Sequence, residues 1–263
     1  MKMPVAKLNR ITQSAAHEGR DLDRTVLDDY GVFVLRGCVD ADVVAKYLQA
    51  YTVYKASDSF DRNTKHLTEV RLAEGHPMTD IIHEPALRRL ASELFPGGAG
   101  IYNIRLLKKD AEDASPVFLH QDFGYEYGSL DRYSLFVPLT ECSIENGALA
   151  FVPGSHKFGY LGDAGAIQES LVPHDLETIT PTASPGDIIV MNTCTWHRSG
   201  ANEARTERVY YDIRLNPAED PASRFTLEDG LEREYELNYR SENLFVNSRL
   251  QRLERYSAKY GPL

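Results

Sequence analysis

The stretch FLHQDFGYEYGS, residues 118–129, sets His120 and Asp122 two positions apart in a segment that otherwise alternates aromatic and polar. Side chains two apart on a strand point the same way, so an imidazole and a carboxylate there face one point. A second histidine from elsewhere would complete a triad of two histidines and one carboxylate. That triad holds non-haem Fe(II) and leaves three coordination positions open.

The chain has eight histidines from which to draw that ligand. His17 lies in a polar N-terminal segment, and His66, His76 and His83 lie in a helix-rich half. His156 follows the turn Pro153-Gly154, and His174 sits in a loop. His197, in MNTCTWHRSGAN (191–202), follows the apolar run DIIVMN (187–192) and is the best candidate. The pattern also has a plainer reading, since an HxD pair occurs by chance and a histidine beside Trp196 can simply be packed.

The surrounding texture is that of a β-core with flanking helices. IYNIRLLKK (101–109), RYSLFVPLT (132–140), ALAFVPG (148–154), ETITPT (177–182), DIIVMN and RVYYDIRL (208–215) are short strand-like runs. Asn146-Gly147, Pro153-Gly154 and Pro185-Gly186 punctuate them, which suggests an antiparallel barrel or sandwich. Upstream, YGVFVLRGCV (30–39) reads as a strand. DADVVAKYLQAYTVYKA (40–56) and EPALRRLASELFPGG (84–98) read as amphipathic helices, the first with Val43, Val44, Tyr47 and Leu48 on its apolar face. ENLFVNSRLQRLERYSAKYG (242–261) reads as a helix again. The expected organisation is one domain over 1–263: a helical part with one strand over 1–99, a β-core over 100–217 and a helical tail over 218–263.

Composition narrows the function. A net charge of -10 argues against nucleic acid or an anionic membrane surface as partner. Three cysteines without a CxxC spacing argue against a disulfide framework or a structural zinc site. No run approaches ~18 apolar residues, and the first residues lack the apolar core of a secretory signal. A cytoplasmic protein with a small-molecule substrate is expected; its oligomeric state is not legible.

An ordered series of segments resembles the phytanoyl-CoA dioxygenase family of Fe(II)- and 2-oxoglutarate-dependent oxygenases. The segments are DDYGVFVLRGCVDADVV (28–44), HQD (120–122), FVPLTECSIENGALAFVPGSHKFG (136–159) and SPGDIIVMNTCTWHRSGANEARTERVYY (184–211). The resemblance implies a double-stranded β-helix, or jelly-roll, with cupin-like architecture. It implies iron on His120, Asp122 and His197, with 2-oxoglutarate and O2 as cosubstrates. By position, Arg208, eleven residues after His197, would take the far carboxylate of 2-oxoglutarate together with Ser199. Phe136 falls where relatives place a bulky residue against that cosubstrate. His156 is left a turn role. Because Asp122 is present where related halogenases lack a carboxylate, hydroxylation or another oxidation is expected. Arg105, Tyr125, Trp196 and Arg214 are the substrate-side candidates, Tyr127 lies beside them, and the two arginines would suit an anionic or polar substrate. A small polar metabolite, a sugar or a natural product fits the texture. Two alternatives stay open: a catalytically silent cupin-like binding protein, and a cupin-type metalloenzyme independent of 2-oxoglutarate.

Overall fold

Several strands of this chain are apolar along their whole length, which requires both faces to be covered. In the computed structural model, which describes residues 18–58, 60, 68–72, 76–110, 115–122, 131–159, 167, 177–218, 220, 225–228 and 231–234, they are. The described elements run β1 (Glu18–Gly19), α1 (Arg24–Tyr30), β2 (Val32–Leu35), α2 (Ala41–Ala56), β3 (Thr68–Arg71), a 3-10 turn (Pro77–His83) and α3 (Pro85–Leu94). They continue as β4 (Ala99–Lys109), β5 (Val117–His120), β6 (Tyr133–Pro138), β7 (Leu149–Phe151), a second 3-10 turn (Ser155–Phe158), β8 (Ile188–Asn192), β9 (His197–Ser199), β10 (Arg208–Pro217), β11 (Phe225–Glu228) and β12 (Leu231–Glu234).

The strands form two sheets. The larger has the order β1-β2-β8-β6-β10-β4-β11-β12, with β3 also on the free edge of β4; the smaller has the order β5-β9-β7. The fold is mainly β, a jelly-roll with helices on one outer side. Alternation along each strand divides the apolar residues between two cores. Phe33, Leu35, Leu135, Val137, Ile188, Val190, Val209, Tyr211 and Ile213 pack outward against Leu27 of α1, Val44, Tyr47 and Tyr51 of α2, and Leu87, Leu90 and Leu94 of α3. Val32, Val34, Phe136, Ile189, Met191 and Tyr210 face inward and meet Leu149 and Phe151 of the smaller sheet. On α2 the buried stripe is Val44, Tyr47 and Tyr51, while Leu48, expected on that face, is 37% exposed at its rim.

Three expectations are corrected. The first hundred residues hold β1, β2 and β3 where one strand was expected. β1 and β3 carry no apolar alternation of their own and exist by pairing, β1 with β2 and β3 with β4. ETITPT contributes only the bridge Phe151–Ile179, not a strand. Within the tail expected to be helical, β11 and β12 pair antiparallel. Asp229-Gly230 stands between them in sequence, the dipeptide most favoured between hairpin strands. The helix expected over 242–261 lies outside the described residues.

Gly31 ties the helical layer to the inner sheet. It caps α1 in the left-handed region, φ 75°, and its carbonyl accepts from the Asn192 amide and the Thr195 hydroxyl. A Cβ there would lie 2.4 Å from both His156 Nδ1 and Thr195 Oγ1. Gly37 has φ 56° but open space around it. In denaturant unfolding, Gly37→Ala is expected to cost only the left-handed strain, about 1–2 kcal/mol. Gly31→Ala is expected to cost clearly more, because two packed side chains must also move. Equal losses would show that the close approach at Gly31 carries no weight.

Candidate metal centre

β5 and β9 pair antiparallel with His120 opposite His197, so the register of two short strands brings two histidines from distant sequence face to face. Their rings stand 4.2 Å apart. Asp122, just past the end of β5, completes the group. Its Oδ1 lies 3.5 Å from His120 Nε2 and its Oδ2 lies 3.7 Å from His197 Nε2. One donor atom from each of the three residues falls within 4.8 Å of the others.

The outer side of each ring is fixed. His120 Nδ1 is 2.7 Å from the Phe118 carbonyl and His197 Nδ1 is 3.0 Å from the Thr195 carbonyl. A carbonyl only accepts, so each Nδ1 carries the proton and each Nε2 turns a lone pair inward, as a metal ligand requires. Burial, reinforced by the neighbouring His120, lowers the pKa of His197 to about 4, so its ring is neutral at neutral pH. For Asp122, burial pushes upward. The charge of Arg214, foremost, with that of Arg105 outweighs it and holds the carboxyl well below the usual range. The group therefore offers two imidazole Nε2 atoms and one carboxylate. Asp122 Oδ2 is buried without a hydrogen-bond partner, which fits a cation between the three residues.

Gln121, between the two ligand candidates, is 2% exposed and donates to the Gly159 and Cys194 carbonyls at 2.8 and 2.7 Å. It clamps the end of β5 to the turn that leads into His197. Nothing in its residue type announced that role.

The remaining candidates separate into three places. Arg208 begins β10 on its inner face and is 1% exposed. It donates to the Gly147 carbonyl and lies 4.7 Å over the Tyr210 ring; its Nε has no hydrogen-bond partner, and no carboxylate pairs with it among the described residues. Burial lowers its pKa. Gly147 itself, φ 79°, is held where a Cβ would stand 2.6 Å from the Gly200 carbonyl. Ser199, two residues past His197, is buried with its hydroxyl unpartnered, and Phe136 lies on the inner face with its ring 6.0 Å from Tyr210. Trp196 stacks 5.3 Å from Phe158 and packs beside Leu119 and Val152. Tyr125 and Tyr127 lie outside the described residues. His156 bonds the Asp28 carbonyl at the end of α1, in the second 3-10 turn.

Arg105 and Arg214 come to the site, but as partners of acids. Arg105 Nε is 2.5 Å from Asp212 Oδ2, and Arg214 lies 2.9 Å from Asp122 and 3.4 Å from Asp212. The sequence reading missed Asp212. Its signal was available: an acid inside the apolar run RVYYDIRL, at even spacing from Arg208 and Arg214.

The sequence profile described as "Phytanoyl-CoA dioxygenase (PhyH)" matches residues 27–209, most of the chain. The chain belongs to the phytanoyl-CoA dioxygenase family. It is an Fe(II)- and 2-oxoglutarate-dependent dioxygenase. Among relatives, dioxygenase olcK of Penicillium canescens is 23% identical over 216 residues, covering 73% of this chain and 69% of the relative. L-proline trans-4-hydroxylase of Streptomyces griseoviridis is 30% identical over 88 residues, 32% of this chain and 33% of that one. Among solved structures, the non-heme alpha ketoglutarate dependent epimerase SnoN from nogalamycin biosynthesis superposes with a TM-score of 0.65 at 24% identity, over 81% of this chain and 84% of that one. EctD from S. alaskensis, solved with 2-oxoglutarate and 5-hydroxyectoine, superposes with a TM-score of 0.66 at 24% identity over 74% of each chain. These likenesses bear out the jelly-roll expected from sequence. No helix among the described residues is long and apolar enough to cross a membrane.

The lowered pKa of His197 has a consequence for the metal-free protein. A group whose pKa is lower folded than unfolded stabilises the fold above its unfolded value, and that contribution is lost as pH falls toward the folded one. Between an unfolded value near 6.5 and a folded value of about 4, His197 should account for a loss of about 3 kcal/mol. The expected observation is a steep drop in unfolding free energy of the metal-free protein across that window, shallower in His197→Gln. Parallel curves for the two proteins would contradict it.

Proposed function

We propose that His120, Asp122 and His197 hold the iron, and that Arg208, Ser199 and Phe136 form the 2-oxoglutarate seat. The enzyme then oxidises, most simply hydroxylates, an aliphatic C–H of a small polar metabolite or natural-product intermediate, with release of succinate and CO2. The observation that carries this reading is Arg208: a buried guanidinium with no carboxylate beside it among the described residues, on the same strand face as the arginine that touches Asp122. A buried cation without a counter-charge is costly. A dicarboxylate cosubstrate anchored to iron at one end supplies that charge at the other, and a guanidinium meets it with fork geometry.

Iron held by His120, Asp122 and His197 would supply the coupling of 2-oxoglutarate decarboxylation by O2 to substrate oxidation. The chain's own residues do the rest. The Phe118 and Thr195 carbonyls fix both imidazoles with Nε2 inward, Arg214 orients the Asp122 carboxylate, and Ser199 offers a buried, unpartnered hydroxyl to the cosubstrate. Phe136, Tyr210 and Phe151 line the inner face with apolar surface that keeps water from the reacting groups. A silent cupin-like binder, or a metalloenzyme independent of 2-oxoglutarate, would have no use for a buried unpaired arginine at this position. The three free cysteines support a reducing, cytoplasmic setting.

Substitution tests each assignment. His120→Ala, Asp122→Ala and His197→Ala are each expected to abolish Fe(II)-dependent succinate formation, because the triad has no spare protein ligand; His156→Ala is expected to keep its iron. Arg208→Ala should retain iron but weaken 2-oxoglutarate. Removing one partner of a desolvated charge pair costs about 2–5 kcal/mol, or roughly 30- to several-thousand-fold in affinity. Anaerobic titration of 2-oxoglutarate into the Fe(II) protein measures this directly, and an unchanged dissociation constant would move the seat elsewhere.

A further inference from the structure

Beyond the residues assigned above, the inner face of the larger sheet carries a second set of buried polar groups. Arg214 of β10 has Asn103 of β4 as register partner on one side and Ser134 of β6 on the other. Register partners share a face, so Asn103 and Ser134 look inward with Arg214. Asn216 follows Arg214 by two positions on β10. The relative exposures of Asn103, Ser134 and Asn216 are 8%, 0% and 0%. Asn103 Oδ1, Ser134 Oγ and both polar atoms of the Asn216 amide have no hydrogen-bond partner. Four such atoms at one end of one face are a heavy cost if nothing meets them.

Their position is informative. Arg208 and Arg214 are six residues apart on one strand face, so about 20 Å of strand separates their backbones. Arg214 touches Asp122 of the triad. Asn103 and Ser134 are level with Arg214 and Asn216 is past it, so all three lie toward the opposite end from Arg208. With 2-oxoglutarate seated at Arg208, this is the end left for the substrate.

The guanidiniums there are paired. Arg105 and Arg214 are matched by Asp212 and Asp122, and Arg132, 0% exposed, is 2.9 Å from Asp220. Among the described residues each of these three guanidiniums already has a carboxylate partner, so none is offered unpaired to an anion. What remains are neutral donors and acceptors. We infer that Asn103, Ser134 and Asn216 form the recognition surface for a neutral substrate rich in hydroxyl or amide groups, and that the enzyme discriminates against its anionic counterparts. This narrows the expectation of an anionic or polar substrate to a polar, uncharged one, and it rests on the iron and 2-oxoglutarate assignments above.

The test compares matched probes on the Fe(II) enzyme with 2-oxoglutarate. One set is neutral: alkyl glycosides, cyclitols and N-acetylated amino sugars. The other is charged: the corresponding uronates and sugar phosphates. Succinate formation is expected to rise above the substrate-free rate severalfold with members of the neutral set and not with their charged counterparts. Asn103→Leu and Ser134→Ala should each lower kcat/KM for the stimulating probe roughly tenfold or more, mainly through KM. The anaerobic dissociation constant for 2-oxoglutarate should stay within about twofold in both, which also shows that each variant is folded. A preference for the charged set, no response to any neutral probe, or unchanged kcat/KM in both variants would overturn the inference. Failure of the parent to form any succinate from 2-oxoglutarate would contradict the proposed function instead.

Discussion

The centre of this structure depends on keeping the Asp122 carboxylate charged inside the protein. An isolated buried carboxylate would take up a proton, and a protonated acid is a poor ligand. Arg214 prevents that, but it brings a second buried charge, which Asp212 meets; Asp212 in turn is held by Arg105. The chain of alternating charges crosses from β4 to β10 to the end of β5 and links the two sheets at the site. β10 makes this possible because its outer face, Val209, Tyr211, Ile213 and Leu215, is apolar and covered by helices, while its inner face carries Arg208, Asp212 and Arg214. One strand thus supplies the packing of one core and the electrostatics of the site.

The same strand sets apart two kinds of arginine. Arg105 and Arg214 are matched within the protein and give rigidity. Arg208 has no carboxylate partner among the described residues, and the proposed 2-oxoglutarate seat is built on it. Burial alone would not distinguish them, since all three are 7% exposed or less. The partner list does. Removing one member of a matched buried pair leaves the other uncompensated, so changes at Asp212 or Arg105 act on Asp122 through Arg214 without touching the metal.

Much of this was legible in the sequence, for identifiable reasons. The β-core could be read because its strands are β-branched and punctuated by Gly and Pro turns, and the triad candidates because a histidine and a carboxylate two apart close one apolar run and His197 follows another. The helices α2 and α3 showed their apolar periodicity. What escaped was whatever is defined by a partner and not by the segment itself. β1 and β3 exist only through pairing, and the β11–β12 hairpin lay in a region read as helix although Asp229-Gly230 marked it. Arg105 and Arg214 were noticed as charges but not as halves of pairs, because nothing in one sequence says that Asp212 stands opposite Arg105 in register. Gln121 gave no signal at all, since an amide that clamps two carbonyls looks like any surface glutamine until the fold is known.

The most direct test of the account is a crystal structure of the enzyme prepared anaerobically with Fe(II) and 2-oxoglutarate. It should show one iron bound by Nε2 of His120, Nε2 of His197 and the Asp122 carboxylate, with the far carboxylate of 2-oxoglutarate on Arg208 and Arg105 still on Asp212. Iron held by any other histidine, or 2-oxoglutarate with its far carboxylate on Arg214 and Arg208 left unpaired, would contradict it.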